Sequence, residues 1–239
     1  MLRPPAIDPA MSWCVPADTV VLAGIDLDQL RSSSLYQSLP PAALAAIEGL
    51  RNASSLLIAS NGKTLLFVAR GNFREAPPAA VLIATGLALA GPDDSIRAAT
   101  AQYKTRASGA PYLLSRASDI AIGKPIWIVA QGGVSLPFTG NATNLNRILH
   151  FTEYTTLTAQ IDSQIQFDAS GVCRTPDAAR QLEESVRALL TFAGAAAAPR
   201  SNLAAILSSV EVRRDDVTVR ASLSTSAQSA RSLLQGLTH

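Results

Sequence analysis

Histidine is the usual general base near neutral pH, and the chain has two histidines, His150 and His239. His239 is the last residue, where side chains are commonly exposed and mobile. His150 stands between Leu149 and Phe151, at the end of a stretch with helical spacing. A serine-hydrolase triad would have to use His150, but the chain has no Gly-x-Ser-x-Gly segment to present the nucleophile. We predict that His150 closes a short helix and does no chemistry.

Three pairs of carboxylates are close enough in sequence to be considered as cation ligands: Asp26 with Asp28, Asp93 with Asp94, and Asp215 with Asp216. A calcium site needs roughly six to eight oxygen ligands, and no pair has the acidic neighbours to complete one. The first two pairs stand where helices are predicted to begin, so we expect helix caps there and a turn at the third. The chain also lacks Cys-x-x-Cys and His-x-x-x-His spacings. The sequence therefore assigns no catalytic, cofactor-binding or metal-binding residue, and no cofactor is expected.

Cys14 and Cys173 are the only cysteines, and the sequence leaves two alternatives for them. They could form one disulfide, or they could be separate small residues of the core. A disulfide requires Cα atoms within about 7 Å, which sequence spacing does not reveal. We favour separate core residues.

Nucleotide and nucleic-acid binding are not expected. Gly132-Gly133 follows a predicted strand, but the next residues do not open a helix, so there is no phosphate-binding loop. Arg213-Arg214 is an isolated basic pair, and the net charge is only +2. Trp13 and Trp127 are interpreted as packing residues rather than a base-stacking platform.

The chain of 239 residues, with 48% hydrophobic and 16% charged residues, has the composition of a globular protein. No stretch is apolar over the length that spans a membrane. The first residues show no charged segment followed by an apolar one, so no signal peptide is recognised in the sequence as given. We expect an extracytoplasmic protein if a leader has been removed, and a cytoplasmic one otherwise.

The clearest folding unit runs from residue 155 to residue 192. Apolar and polar residues alternate on both sides of Asp162-Ser163, which predicts an antiparallel hairpin. Thr175-Pro176-Asp177 then has the cap, first-turn proline and first-turn acid of a helix start, and Gly194 is a suitable stop. We expect the helix to lie across the hairpin. The expected core contacts join Leu157, Ile161, Ile165 and Phe167 to Leu182, Val186 and Leu189.

A similar pattern follows at the carboxyl end. Val210 and Val212 precede a turn at Asp215-Asp216, an alternating strand continues to Leu223, and Ser224 or Thr225 can cap a last helix. The back half is thus predicted as β-β-α, a linker, and β-β-α.

The front half mixes strands and helices. Predicted strands are Thr19–Asp26, Ser54–Ser60, Lys63–Gly71, Ala80–Thr85, Leu87–Ala90 and Pro125–Gln131, with turns at Asn61-Gly62 and Gly86. Predicted helices are Leu27–Leu39, Pro41–Leu50, Asp93 to about Tyr103, Tyr112–Ile122 and Asn144–His150. The strands Thr19–Asp26 and Pro125–Gln131 are apolar throughout and are expected to be buried.

These patterns predict an α+β fold with two mainly antiparallel sheets, helices on one face, and an approximate duplication of a ferredoxin-like β-β-α unit. The predicted organisation is an irregular arm at 1–18, one α+β half at 19–140 and a second at 141–239.

The opening of the chain resembles that of a family of bacterial proteins that are usually exported and have no assigned activity. The resemblance covers Val15-Pro16-Ala17-Asp18, the strand end Ala23-Gly24-Ile25-Asp26 and Leu35-Tyr36. The join Thr175-Pro176-Asp177-Ala178 is also similar. The resemblance implies two α+β repeats outside the cytoplasm and supplies no catalytic residue.

Two hypotheses follow for the function. The first is a non-catalytic binding or structural module of the bacterial cell envelope, with an unidentified protein or small-molecule partner. The second is a hydrolase-like enzyme whose site is assembled from dispersed residues. A flat exposed apolar patch or an open sheet face would favour the first, and a deep cleft with convergent polar side chains and strongly shifted pKa values would favour the second.

Overall fold

The computed structural model describes residues 7–34, 36, 39, 44–45, 48–77, 79–134, 144–162, 164–199, 201–226 and 229. The strands in these ranges are β1 (Val21–Asp26), β2 (Ala53–Ser60), β3 (Leu65–Gly71), β4 (Ala80–Ala84), β5 (Leu87–Ala90), β6 (Ile126–Gln131), β7 (Thr152–Ile161), β8 (Ile165–Cys173), β9 (Glu211–Asp215) and β10 (Thr218–Thr225). The helices are α1 (Pro9–Ser12), α2 (Leu27–Ser32), α3 (Asp93–Lys104), α4 (Pro111–Ile120), α5 (Asn144–Phe151), α6 (Pro176–Ala196) and α7 (Ser201–Ser208).

The α+β class is confirmed, but the predicted number of sheets is wrong. The chain divides into unit 1, Met1–Gln29 with Ala45–Ala130, and unit 2, Leu30–Leu44 with Gln131–His239. The strand order is β4-β5-β3-β2-β1-β6 in unit 1 and β7-β8-β10-β9 in unit 2, and all ten strands belong to one sheet. Alternation along a strand identifies its apolar face but not its neighbour, so the sequence could not distinguish one sheet from two.

The core of unit 1 lies on one face of its strands, which we call the first face. Leu22, Leu57, Val68 and Val129 on this face are at most 2% exposed. Residues of α1, α3 and α4 pack against them. The segment before β1, predicted as an irregular arm, contains the helical turn α1 and contributes Met11, Cys14 and Val15 to this core.

Both predicted hairpins of unit 1 are confirmed. β2 and β3 pair antiparallel across Asn61-Gly62, and Gly62 has a positive φ of 85°. β4 and β5 pair across Gly86, whose φ of 69° suits glycine. The predicted helices at Asp93 and Tyr112 are α3 and α4, with Ala99 buried as expected.

Unit 2 has the predicted hairpin and helix, although their packing differs from the prediction. The Thr175 hydroxyl accepts a hydrogen bond from the Ala178 N–H at 3.2 Å, which confirms the cap. Ala179 and Leu182 of α6 pack with buried residues of β8, β9 and β10, which are Cys173, Val212 and Val219. Leu157 of β7 was predicted to be buried but is 37% exposed. The helix packs against β8, β9 and β10, and Ile165 of β8 is fully buried as predicted, so the prediction fails at Leu157. The sequence pattern within the hairpin does not show which strands the helix will cover.

Gly194 does not end the long helix. α6 continues through it to Ala196, and an added Cβ at Gly194 would meet no atom within 4 Å. The segment predicted as a linker contains α7. Half of the predicted helix at 41–50, most of the one after Thr225, and residues 135–143 lie outside the described residues.

Candidate functional site

The residues singled out from the sequence serve the local structure. Asp26 caps α2, because its Oδ1 accepts a hydrogen bond from the Gln29 N–H at 2.8 Å and its Oδ2 accepts one from the Gln29 side chain at 2.7 Å. Asp215 and Asp216 lie at the β9–β10 turn, where Asp216 has a φ of 47°. Both outcomes agree with the prediction.

Asp93 and Asp94 need a correction, since they do not cap α3. The N-cap residue is Pro92, which has no side chain to accept a hydrogen bond. Both carboxylates lie in the first turn, where they face the positive end of the helix dipole. Asp94 also forms an ion pair with Arg97 one turn further on.

His150 lies in the last turn of α5 and is exposed. The prediction that His150 does no chemistry stays a prediction, and His239 lies outside the described residues. Within the described ranges, no three His, Cys, Asp or Glu side chains converge as a metal site would require.

The two cysteines are free and lie in the cores of different units. Burial, together with the charge of Asp8, raises the pKa of the Cys14 thiol to about 12. Burial also raises the pKa of Cys173. Both thiols are therefore protonated at neutral pH, and the reactive thiolate form is disfavoured.

A cleft of about 410 Å³ with both polar and apolar walls opens in unit 1 between the β2–β3 turn and the start of α3. Its polar residues include Asp18, Asn61, Lys63, Thr64 and Ser95, and its apolar wall includes Ala59 and Leu66. The sequence did not indicate this cleft, because its residues come from three separate segments.

Several polar groups of the cleft already form hydrogen bonds with one another. The Asn61 side-chain amide donates to Asp18 at 2.8 Å. The Asn61 side-chain oxygen Oδ1 accepts from the backbone N–H groups of Lys63 and Thr64 at 3.1 and 3.0 Å. The hydroxyls of Thr64 and Ser95 are 3.3 Å apart. This arrangement fixes the turn, and no histidine or cysteine lines the cleft to act as base or nucleophile.

The larger feature of unit 1 is the opposite face of its sheet, which we call the second face. Strand registers place three rows of side chains on it. The rows are Ala130–Val21–Ser60–Leu65, Ile128–Ala23–Ile58–Phe67–Ala90–Ala80 and Ile126–Ile25–Leu56–Ala69–Ala88–Leu82. All are apolar except Ser60.

The two faces differ in exposure although both are apolar. Most large side chains of the second face are half-buried, including Ile25, Ile58 and Phe67, and Leu65 is 49% exposed. An antiparallel sheet with one wet face normally carries polar residues on that face. An apolar face that keeps this exposure is typical of an interaction surface.

Gly24 sets the geometry of the first face opposite this surface. It pairs with Trp127 across β1 and β6, and an added Cβ at Gly24 would lie 2.3 Å from two indole carbons. The indole therefore packs directly over the glycine backbone. Trp127 is 5% exposed and belongs to the core, in agreement with its interpretation as a packing residue. The side chains of β1 that point away from the first face form part of the second face.

Comparisons with known proteins identify the fold. No protein-family model and no curated protein sequence matches the chain. Three crystal forms of TP0453 have similar structures, each at 8% sequence identity. Form I has a TM-score of 0.55 and covers 98% of this chain and 99% of that one. Form III has 0.56 with 96% and 98%, and form IV has 0.52 with 95% and 96%.

The similarity to TP0453 spans nearly the whole of both chains. At this identity it establishes the fold alone and carries over no activity or ligand. No helix in the described part of the chain is both long and apolar enough to cross a membrane.

Proposed function

We propose that this chain is a non-catalytic binding or structural module of a bacterial cell envelope, and that the second face of unit 1 is its binding surface. The observation that carries the proposal is the pair of apolar faces on one set of strands. The helices of unit 1 bury the first face, and most large aliphatic side chains of the second face are only half-buried. The partner is an unidentified protein or small molecule with an apolar surface.

The energetics support a surface that is covered in use. Burial of apolar area contributes about 25 cal/mol per Å², so a large Ile or Phe side chain gains about 1.5–3 kcal/mol when it is fully covered. Part of that gain in free energy remains available for binding a partner at five half-buried side chains, Ile25, Ile58, Phe67, Ile126 and Ile128. Since the face carries no charge, its ligand should be apolar where it makes contact.

The resemblance of the chain's opening to exported bacterial proteins supports the cell-envelope location. The order of hairpin, helix and hairpin in unit 2 supports an approximate duplication of a ferredoxin-like β-β-α unit. The location and the duplication are both inferred from sequence pattern and the order of elements. The assignment of the binding surface does not depend on either.

Fluorescence of the apolar probe 1-anilinonaphthalene-8-sulfonate tests the binding surface. The natively folded protein should enhance the probe's fluorescence, and the double variant Ile58→Ser, Leu65→Ser should do so much less. Phe192→Ser is the matched control, because Phe192 is 71% exposed but lies on α6 of unit 2. A folded protein that leaves the probe dark, or a double variant indistinguishable from the control, would contradict the proposal.

The cleft beside Asn61 is the observation that favours the alternative, a hydrolase-like enzyme. It brings together three hydroxyls, an amine and two carboxylates. A screen with ester, peptide and phosphoester substrates tests it directly. Turnover that Asp18→Asn abolishes while the thermal melt stays cooperative would replace the binding module with the enzyme.

A further inference from the structure

The strand β4 is an unprotected sheet edge. It is the terminal strand of the order in unit 1 and pairs with β5 on one side. Its five residues, Ala80–Ala84, are all apolar and carry no charge. Among the described residues no strand pairs with its other side. Such an edge presents unpaired backbone N–H and C=O groups to any extended segment that approaches it.

The terminal strand of unit 2 shows how this chain protects an edge. β9, Glu211–Asp215, has charged residues at four of its five positions. If two copies of β9 paired antiparallel about Arg213, that arginine would face its own counterpart, which is unfavourable. Charged side chains are the common protection against edge-to-edge association. β4 has no charged side chain to protect its edge in this way.

The β4 edge is complementary to itself. In antiparallel pairing about Val81, this residue would face its counterpart, and Ala80 would face the counterpart of Leu82. Val81 is 48% exposed and lies in register with the buried Leu89 on the first face. Ala80 and Leu82 belong to the rows of the second face. Pairing would therefore bury Val81 and extend both apolar faces without bringing charges together.

We propose that a second copy of this chain pairs with β4, antiparallel and about a twofold axis at Val81, so that the sheet continues from one copy into the other. The ladder is short. The register shifts after Leu82, and the Ala80 N–H donates to the Pro77 carbonyl oxygen at 3.0 Å. The association should therefore be weak and concentration-dependent. The inference rests on the edge and does not depend on the proposed binding role of the second face.

Sedimentation equilibrium of the intact chain from about 1 µM to about 1 mM tests the pairing. The wild type should pass from monomer to dimer, and Val81→Lys should weaken the dimer at least about tenfold, because two lysines would face each other. Ile122→Lys is the matched control: Ile122 is 46% exposed but follows α4 and lies on no strand of the sheet. It should shift the equilibrium by less than about twofold.

A wild type that stays monomeric over this range overturns the proposal. A dimer that Val81→Lys leaves intact, or that both variants weaken equally, also overturns it. If Val81→Lys fails to give a cooperative melt, hydrogen exchange of the wild type decides. Amides of 80–84 should become more protected as concentration rises, and unchanged protection there refutes the pairing.

Discussion

Replacing Gly24 with alanine should destabilise the protein through one contact. Gly24 lies in β1 directly opposite Trp127 in β6. A Cβ on Gly24 would lie 2.3 Å from the indole Cε2 and Cζ2 atoms and 2.5 Å from Nε1. Carbon atoms in contact prefer about 3.5–4.0 Å, so the indole would have to move by more than 1 Å. Trp127 is surrounded by the core of the first face and has little room for that movement.

The cost can be bracketed from known effects of core substitution. Forcing an additional methyl group into a packed core costs about 1–3 kcal/mol. If the indole left its site altogether, the loss would approach the roughly 3–5 kcal/mol of a Trp→Ala substitution. A glycine in an ordinary strand position would instead gain about 0.5–1 kcal/mol on becoming alanine. The sign of the change therefore separates a close-contact glycine from an ordinary one.

A double-mutant cycle isolates the contact. Gly24→Ala, Trp127→Ala and the double variant are unfolded with urea and followed by far-ultraviolet circular dichroism, because tryptophan fluorescence would change with the substitution itself. Gly24→Ala should cost about 1–3 kcal/mol in the wild-type background. In the Trp127→Ala background it should cost nothing or stabilise slightly, since the new methyl group then fills part of the cavity.

Equal costs in the two backgrounds would refute this reasoning. The instability would then come from the backbone at Gly24 and not from the indole. A gain in stability for Gly24→Ala in the wild-type background would show that the indole has another place to lie.

Three further substitutions test other parts of the fold by urea unfolding. Gly194→Ala should stabilise the protein by about 0.5–1 kcal/mol, because α6 continues through Gly194 in open space; a loss would indicate that the helix ends there. Ile165→Ala should cost about 2–5 kcal/mol because Ile165 is fully buried, and Leu157→Ala much less because Leu157 is 37% exposed; equal costs would contradict the packing. Hydrogen bonds from Arg187 and Arg214 lower the pKa of Glu183 below its ordinary 4.5, so its ionised form stabilises the fold above pH 4.5 and this stabilisation is lost as the pH falls further. Glu183→Gln should therefore lose less stability than the wild type between pH 4.5 and pH 3, and parallel pH profiles would refute the role of the ion pairs.

Local signals in the sequence identified the hairpins and the helix starts. Asn61-Gly62 predicted the β2–β3 turn, and Thr175-Pro176 predicted the start of α6, because both depend on backbone conformation within a few residues. Gly194 misled the prediction of the helix end for a physical reason. A glycine stops a helix only where the chain adopts a positive φ, and sequence does not show whether the following residues continue the helix.

The alternation of apolar and polar residues could not predict packing between segments that are distant in sequence. Leu157 and Ile165 have the same alternating context in the sequence, yet one is 37% exposed and the other is fully buried. Which strands α6 covers depends on the strand order, and the strand order depends on pairings between distant segments. The cleft at Asn61 was missed for the same reason, since Asp18, Thr64 and Ser95 meet only after β1, β3 and α3 are in place.

The sequence contains a signal for the second face, but only the structure shows which residues belong to that face. The strand at Thr19–Asp26 is apolar at nearly every position, which predicts burial on both faces. The structure resolves that prediction into two different outcomes, because Leu22 is inaccessible whereas Val21 and Ile25 are half-buried. β6 repeats the division, with Val129 inaccessible and Ile126 and Ile128 half-buried. Strands that are apolar on both faces, with one face buried and the other only half-buried, are the physical reason for placing the binding surface there and not at the cleft beside Asn61.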